Sequence, residues 1–372
     1  MPILWRYLLG QYTKILVLSV VAFIAILLVT RLEDVAQFAS LGAPIISVLL
    51  FILYQIPYIL PIAIPISCLI SSMLLYKKIS HTHELTSLRA AGLSLRYIIA
   101  PVLLAGGFLV LANFYIVSEL ATHSHFSTKK MYNELKSINP LLLLQNPQLL
   151  KFKGAYIEIL GPQQPGESAQ DVLLAIKNHH NERIHVIIAN KIESEPPFIK
   201  GENISIISNL TPKRQEDFDS LVVENVKYLS NPSIEFSYFM KKIGWDINDD
   251  HLNLRHLNIK LHQELSKPIL TENSMSKIYK ILSEISQRLS VALAAFTFTL
   301  MGTAFGIDIR RTTSKSKILS VITLAIIYLI AFFIAKGMEQ HFTTATCLYF
   351  IPHVIIIILS IWSLKRVSRG VE

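Results

Sequence analysis

The most constraining feature of this sequence is a set of long apolar runs that contain no Asp, Glu, Lys or Arg. A helix that crosses a membrane needs about 20 such residues. Only 16% of the 372 residues are charged, against about 25% in soluble domains, and the deficit is concentrated in these runs. Five runs have the length of one crossing helix: Ile15–Thr30, Tyr97–Ser118, Leu289–Ile307, Ile318–Ala335 and Gln340–Leu364. The sequence therefore predicts an α-helical membrane protein.

A sixth run, Val35–Tyr76, is too long for one straight crossing. At about 1.5 Å per residue it would reach roughly 60 Å, against an apolar bilayer core of about 30 Å. Pro44 suits the first turn of its helix, and Pro57, Pro61 and Pro65 follow on one face, where they would kink it. We interpret the run as one bent, overlong second span; a re-entrant pair of helices is the alternative.

Basic residues determine the orientation of the six spans, which place both termini on one side of the membrane. The short loops on the opposite side, 31–43 and 336–339, have no net positive charge. The segments on the terminal side contain most of the basic residues near the spans: Arg6, Lys14, Lys77, Lys78, Arg89, Arg96, Arg310, Arg311, Lys315, Lys317, Lys365, Arg366 and Arg369. We therefore expect both termini to be cytoplasmic. Topology accounts for the formal net charge of +9, so the sequence does not indicate a nucleic-acid partner.

Residues 119–285 are a different kind of sequence, polar and without an apolar run of span length. Ile- and Val-rich segments alternate there with turn residues, a pattern typical of an antiparallel sandwich or jelly roll. The strand-like segments are 155–160, 171–177, 183–192, 203–210 and 221–229. We predict an extracytoplasmic all-β, jelly-roll-like domain at 119–285, ending in a helical return to the membrane from residue 236. Residues 1–118 would form the first three spans and 286–372 the last three.

Three of the predicted strands have one parity that is wholly aliphatic. The residues concerned are Ile157 and Ile159 in the first, Val172, Leu174 and Ile176 in the second, and Ile184, Val186 and Ile188 in the third. Such faces form either a closed sandwich core or an interior that holds lipid chains. A period of two residues cannot separate these alternatives.

The sequence lacks the motifs of common enzymes. It contains no phosphate-binding G-x-x-x-x-G-K-[ST], no H-E-x-x-H and no G-x-S-x-G, so we expect no ATP site, no catalytic residues and no enzyme activity in this chain. Histidines occur in two pairs at a spacing of two residues, His81 with His83 and His123 with His125. This spacing places the members of a pair on different faces of a helix, so we predict no metal site. His353 lies within the last run, where it is expected to donate to a neighbouring helix.

The segment "HTHELTSLRAAGLSLR" (81–96) occupies the loop between the second and third spans. Leu85, Leu88 and Leu95 recur at helical spacing, Gly92 suits a helix C-terminus, and Ser94 can cap the next helix. The segment is either an amphipathic helix on the lipid headgroups or a coupling helix seated in a groove of a separate motor protein. Its exposed charges and small residues favour a coupling helix at about 80–96.

"HELTSLRAAGLS" resembles the E-[IL]-x-x-[ML]-x-A-x-G-[LF]-[ST] segment of the lipopolysaccharide-export permeases, the LptF/LptG (YjgP/YjgQ) family. Further segments of the chain resemble the family in the same order, namely "RY" (6–7), "LPIAIP" (60–65), "EISQRLSVALAAFTFTLMGTAFGI" (284–307) and "LAIIYLIAF" (324–332). One departure is "DIRRTTSKSK" (308–317), which replaces a loop that contains Pro and Gly in the family. The E-x-x-x-R at 284–288 favours the F type, which we prefer, whereas the terminal "IWSLKRV" resembles the G type.

The resemblance implies a function. Two such permeases, one of each type, pair with a dimer of a cytoplasmic ABC ATPase that uses ATP and Mg²⁺. They extract lipopolysaccharide from the bacterial inner membrane and pass it through their periplasmic jelly rolls to a periplasmic bridge protein. Spans one and five form the gate for the lipid. The chain itself would bind no cofactor.

The resemblance and the topology together imply three sets of site residues. The set that couples to the ATPase is Glu84, Leu85, Leu88, Arg89 and Gly92. The cations at the outer membrane surface, available for lipid phosphates or as interfacial anchors, are Arg31, Lys129, Lys130 and Lys336. The lipid-chain path through the periplasmic domain would include Ile157, Ile159, Val172, Leu174, Val186 and Ile188.

Two other functions fit a chain of this kind less well. A membrane-anchored periplasmic binding or sensor protein without transport is the alternative, and co-purification of an ATPase distinguishes it. A permease of the tripartite efflux type resembles the chain less, because that family has four spans and this sequence predicts six.

Overall fold

Six helices in the computed structural model of the chain are long and apolar enough to cross a membrane, as predicted. They are α1 (Ile3–Val29), α3 (Ile45–His81), α5 (Leu95–Tyr115), α8 (Glu272–Gly306), α9 (Lys315–Gly337) and α10 (Phe342–Ser368). The structure describes residues 3–40, 43–138, 150–152, 155–161, 163–164, 168–177, 184–195, 198–210, 220–232, 249–267, 272–308 and 315–369. Arg310 and Arg311, which entered the prediction of orientation, lie outside these residues, as does the start of the predicted helical return.

Four shorter helices complete the helical part that is described. They are α2 (Leu32–Ser40), α4 (Glu84–Ala90), α6 (Thr122–Ile138) and α7 (Leu254–Leu265). A 3₁₀ turn at Asp249–His251 precedes α7. The helix α4 lies in the loop between the second and third spans, where the sequence predicts a helix.

The second span, α3, is one continuous helix of 37 residues that contains Pro57, Pro61 and Pro65. Pro44 stands just before it, and its carbonyl accepts the first helical hydrogen bond from Val48 N at 3.1 Å. A proline at a helix start loses no intrahelical bond because its missing N–H would have no partner there. The interpretation as a single overlong helix is confirmed.

The third span extends beyond the apolar run that predicted it. After Tyr115 the helix passes through a π-helical turn at Ile116–Ala121 and continues as α6. Thr122 Oγ1 donates to the carbonyls of Ser118 and Glu119, both at 3.0 Å, so side-chain hydrogen bonds accompany the wider turn. Lys129 and Lys130 lie on α6.

The predicted β domain is present between the third and fourth spans. Its strands are β1 (Leu150–Phe152), β2 (Ala155–Ile159), β3 (Gln163–Gln164), β4 (Ser168–Lys177), β5 (Ile184–Glu195), β6 (Phe198–Leu210) and β7 (Ser220–Pro232). They form one antiparallel sheet in the order β1-β2-β4-β5-β6-β7, with β3 paired to β4. Because the described strands form a meander in a single sheet, they fit a jelly roll only loosely.

Internal contacts divide the chain into two compact units. The first comprises residues 1–34, 49–128 and 247–372, and the second comprises 35–48 and 129–246. Residues 119–128 and 247–285, which the sequence assigns to the β domain, therefore belong to the unit of the spans.

The fourth span, α8, packs against α3 with backbone close to backbone. A Cβ at Gly302 would lie 2.0 Å from Ser72 Oγ and 2.5 Å from the carbonyl oxygen of Leu69, and one at Gly306 would lie 2.8 Å from the carbonyl oxygen of Met73. Gly302 and Gly306 form a G-x-x-x-G pair, the spacing that lets membrane helices approach closely. No larger residue fits at this crossing without a shift.

Hydroxyl groups and one imidazole join α8 to α10. Buried His353 lies with Nε2 3.0 Å from Ser290 Oγ and Nδ1 3.0 Å from Thr297 Oγ1. Ser290 Oγ also donates to the carbonyl oxygen of Tyr349 at 3.0 Å. A neutral imidazole protonated at Nε2 satisfies this network, because it donates to Ser290 and accepts from Thr297. His353 is thus hydrogen-bonded to a neighbouring helix, and its role as a donor stays a prediction.

The crossing at Gly302 generates a prediction about stability. Gly302→Ala places a methyl group into Ser72 and the Leu69 carbonyl, and overpacking of this kind costs about 1–3 kcal/mol. We expect a lower thermal unfolding temperature for the purified full chain in detergent. Gly107→Ala is the matched control, because a Cβ at Gly107 in α5 meets nothing within 4 Å. Equal unfolding temperatures for the two variants would contradict the close crossing.

Candidate functional site

The loop helix α4 begins at Glu84 and ends at Ala90, so it is shorter than the predicted 80–96. His83 precedes it with φ 60°. Gly92 follows it with φ 87°, its N–H donating to the Arg89 carbonyl at 3.0 Å, while Leu93 N–H donates to the Leu88 carbonyl at 3.2 Å. This pair of bonds is a Schellman motif, which favours glycine at the position of positive φ. The prediction that Gly92 ends the helix is confirmed.

The next helix begins as the sequence predicts. Ser94 has an extended backbone, and its side chain accepts a hydrogen bond from Tyr97 N at 3.4 Å. This side-chain oxygen satisfies one of the free N–H groups at the start of α5. The segment from α4 to α5 is therefore a helix, a glycine turn and a capped second helix, which fixes the direction of α4 relative to the third span.

The leucines of α4 face the protein. Leu85 is 3% exposed and lies in a buried apolar cluster, with Leu88 packed against it. Side chains from four spans and the end of α8 form this cluster: Leu8 and Tyr12 from α1, Leu75, Tyr76 and Ile79 from α3, Leu95, Ile98, Ile99 and Val102 from α5, Ile307 after α8, and Val367 from α10. The short helix is thus anchored by Leu85 at the point where these spans meet.

Charged residues of α4 also bond to the spans. Glu84 accepts hydrogen bonds from Tyr7 Oη at 3.3 Å and from Thr82 Oγ1 at 3.1 Å. Arg89 Nη2 donates to the carbonyl oxygen of Ser368, at the end of α10, at 3.2 Å. Leu85 and Leu88 therefore face the protein, whereas Glu84 and Arg89 are half-buried and form exposed hydrogen bonds to the spans, with Gly92 exposed at the end of the helix.

The predicted outer-surface cations have different surroundings. Arg31 lies just after α1, with its guanidinium 4.9 Å from the centre of the Tyr58 ring and Nη1 3.3 Å from Asp34 Oδ2. Lys336 is exposed near the end of α9. Lys130 pairs with Glu134 at 3.7 Å, and Lys129 is half-buried in the second unit. The structure describes Arg31 and Lys336 in one unit and the two other lysines in the other, so it does not gather the four into one described site.

The register of the sheet separates the six predicted lipid-path residues. Val172 pairs with Ile159 and Ala189, so these positions share one face. Leu174 pairs with Ile157 and Ile187 in the same way, two residues further along. The side chain of Ile157 is outside what the structure describes.

The remaining two predicted residues lie on the other face. Val186 pairs with Ala175, and Ile188 pairs with Leu173. Because successive residues of a strand point to opposite faces, Val186 and Ile188 cannot face the same side as Val172 and Leu174. The structure therefore does not place the six predicted residues in one path.

The two faces also differ in burial. Val172 is 3% exposed and packs in a small apolar cluster with Ile159 and Leu174. On the other face Ile188 is 40% exposed and Val223 is 53% exposed. The first face therefore has a buried centre at Val172 with half-buried neighbours, and the second presents aliphatic side chains at its surface.

Sequence reasoning missed the role of Arg288, a buried residue of α8. Its Nε donates to Glu284 Oε1 at 2.9 Å, and its Nη2 donates to the carbonyl oxygens of Asp249 at 3.3 Å and Leu252 at 2.8 Å. Arg288 thus ties the fourth span to the 3₁₀ turn that precedes α7. The spacing of Glu284 and Arg288 is visible in the sequence, but the carbonyl partners are not.

Comparison with known families gives one match that covers most of the chain. Residues 6–366 match the family described as lipopolysaccharide export system permease LptF/LptG. A comparison with curated proteins finds no match. The family match spans all six membrane helices and the β domain between the third and the fourth. The chain therefore belongs to the family of lipopolysaccharide export system permeases, LptF/LptG.

Proposed function

We propose that this chain is a permease subunit of an ABC transporter that extracts lipopolysaccharide from the bacterial inner membrane and passes it to a periplasmic bridge protein. Membership of the family supports the general role in lipopolysaccharide export. The observation that carries the finer proposal is the anchoring of α4 by Leu85 in a cluster formed by several spans. A helix held in this way can transmit a displacement, caused by a motor protein, to the membrane-spanning helices.

The packing of α4 favours a coupling helix over a helix that rests on lipid headgroups. A headgroup helix turns its leucines towards lipid, whereas Leu85 and Leu88 pack against the protein. Since close-packed interiors transmit strain, displacement of α4 would move the ends of α1, α3 and α5 together. The hydrogen bond from Arg89 to Ser368 extends this link to α10.

The partners follow from this assignment. The basic residues of the terminal side support a cytoplasmic location for α4 and both termini and a periplasmic location for the β domain. A cytoplasmic ABC ATPase dimer would supply ATP hydrolysis with its own Mg²⁺, and this chain would bind no cofactor. A paralogous permease would form the other half of the membrane part.

Arg31 is the proposed contact for a lipid phosphate. Its guanidinium is held above Tyr58 and against Asp34, while 37% of the side chain stays exposed. A guanidinium fixed in one orientation can bind phosphate through two parallel N–H groups, which a lysine ammonium cannot do. Asp34 would hold Arg31 in place until a phosphate competes for it.

For the lipid chains we propose the exposed face of the sheet. The face that carries Val172 has a buried centre, whereas Ile188 and Val223 present aliphatic surface. Val186 and Ile207 pair directly and join these two positions, since Ile207 also pairs with Val223. A contiguous aliphatic patch on a sheet face is a candidate binding surface.

The coupling proposal predicts a specific effect of Glu84→Gln. If the carboxylate docks a basic residue of the ATPase, loss of its charge should weaken the complex by about 2–5 kcal/mol and lower coupled ATP hydrolysis. The measurement is the amount of ATPase that co-purifies with the tagged permease from native membranes, together with its activity.

Tyr7→Phe is the matched control, because it removes the internal hydrogen bond to Glu84 and leaves the carboxylate in place. Loss of the ATPase in both variants would indicate a purely structural carboxylate. Absence of any ATPase from the wild-type preparation would favour the sensor alternative.

Charge reversal at Arg31 should impair export. We expect Arg31→Glu to reduce lipopolysaccharide transport into acceptor vesicles at least tenfold, Arg31→Lys to reduce it less, and complex assembly to persist in both. Lys336→Glu makes the same charge change at the end of another span on the same side, and it tests this second predicted cation in the same assay. Normal transport by an assembled Arg31→Glu complex would remove Arg31 from the lipid path.

Site-specific photo-crosslinking distinguishes the two faces of the sheet. A photoreactive residue at Ile188 or Val223 should label lipopolysaccharide when ATP is supplied to the complex. At Val172 it should label only protein, because that position is buried. Lipid labelling at Val172 and none at Ile188 would reverse the assignment of the faces.

A further inference from the structure

Three potential metal ligands that are distant in the sequence meet in the unit of the spans. His125 lies on α6, and Asp250 and His251 lie on the 3₁₀ turn that precedes α7. His125 Nδ1 is 3.9 Å from Asp250 Oδ2, and His251 Nε2 is 3.7 Å from Asp250 Oδ1. One ligand atom from each residue can be chosen so that all lie within 4.8 Å of one another.

This spacing is close to that of a zinc centre. Zn²⁺ bonds imidazole nitrogen and carboxylate oxygen at about 2.0–2.2 Å in tetrahedral geometry, which separates neighbouring ligand atoms by about 3.3 Å. The two distances from the imidazoles to the Asp250 carboxylate exceed this by well under an ångström, and the three ligand atoms all lie within 4.8 Å of one another. Rotation of the side chains would bring the ligand atoms closer to the separation that zinc requires.

Hydrogen bonds and an ion pair hold the turn that carries two of the ligands. Arg288 Nη2 donates to the carbonyls of Asp249 and Leu252, the residues on either side of Asp250 and His251. Lys260 forms an ion pair with Asp249. A ligand pair fixed by outer hydrogen bonds is a feature of metal sites, because it reduces the entropy lost on binding.

The carboxylate of the cluster has a buried oxygen without a hydrogen bond to the described residues. Asp250 Oδ1 is buried and has no hydrogen-bond partner among the described residues, although the Asp250 side chain as a whole is 44% exposed. A buried carboxylate oxygen without a partner is costly. A cation between the carboxylate and the two imidazoles would satisfy it, while the exposed part of the side chain leaves a route for the ion.

We propose that His125, Asp250 and His251 form a site for one first-row divalent metal ion of the Zn²⁺ class. Two imidazoles and one carboxylate favour such an ion over Mg²⁺ and Ca²⁺, which prefer sets of oxygen ligands. The ion would join α6, the extension of the third span, to the turn that leads into α7. The fourth coordination position would be open to water.

The site adjoins the arginine proposed to contact lipid phosphate. The rings of His125 and Tyr58 lie with centres 4.7 Å apart, and Tyr58 lies under the guanidinium of Arg31. A metal ion that fixes the His125 ring would therefore also restrict Tyr58. The metal site itself does not depend on the proposed export function, since its residues and its test involve no lipid.

Zinc binding to the purified full chain tests the proposal. The chain is isolated with a tag that contains no histidine, stripped with a chelator, and titrated with Zn²⁺ in competition with a chromophoric chelator. We expect one Zn²⁺ per chain and at least a tenfold weaker affinity in His125→Ala and in Asp250→Asn. Co²⁺ in place of Zn²⁺ should give the absorption bands of a tetrahedral site, and excess Mg²⁺ should not displace it.

His123→Ala is the matched control, because His123 is an exposed histidine on the same helix two residues away and should leave zinc affinity unchanged. Asp250→His guards against misfolding of the other variants, since a third imidazole at an exposed position should bind Zn²⁺ at least as tightly as the carboxylate. Absence of stoichiometric zinc from the wild-type chain would overturn the proposal. Equal loss of affinity in His123→Ala and His125→Ala would overturn it as well.

Discussion

Close packing of the fourth span, α8, against its neighbours is the constraint on which the arrangement of the spans depends. Burial of apolar surface contributes little free energy to the association of helices within lipid, because lipid tails are themselves apolar. Association therefore relies on van der Waals contact and interhelical hydrogen bonds. Gly302 and Gly306 permit the backbone contact with α3, and His353 adds hydrogen bonds between α8 and α10. In the most apolar stretch of α8, 78% of the residues are buried inside the protein, against 6% in α1. The fourth span is therefore the fixed element around which the others pack.

The contrast among the spans has a mechanical consequence for a permease. The two spans that the resemblance assigns to the lipid gate, α1 and α9, are the least buried, at 6% and 17% of their most apolar stretches. A helix with few contacts to its own unit can move without breaking a packed core, whereas movement of α8 would break the glycine crossing and the His353 network. Leu85 touches the cluster that contains α1 residues Leu8 and Tyr12, so α4 is attached to a span that is able to respond.

The sequence predicts those features that depend on neighbouring residues. The six spans follow from uncharged length, and the turn at Gly92 follows from the need for a residue that tolerates positive φ. The register of the sheet does not follow, because β5 is aliphatic at both parities and nothing local decides which parity faces the core. Val186 and Ile188 therefore could not be assigned to a face before the pairing with Ala175 and Leu173 was known. The cluster of His125 with His251 was equally inaccessible, since its ligands come from segments that only the fold brings together.

Arg288 connects the rigid span to the surface turn. A charge pair buried near a membrane costs more in desolvation than its attraction returns unless further hydrogen bonds satisfy it. Here two backbone carbonyls, which would otherwise need partners of their own, accept hydrogen bonds from Nη2 of Arg288, while its buried Nη1 has no hydrogen-bond partner among the described residues. The same bonds fix the turn at Asp249–His251 to α8, the most buried of the spans. Residues on that turn are consequently held by the best-packed span, which suits ligands whose positions must not vary. The least buried spans, α1 and α9, are the two to which the resemblance assigns the lipid gate.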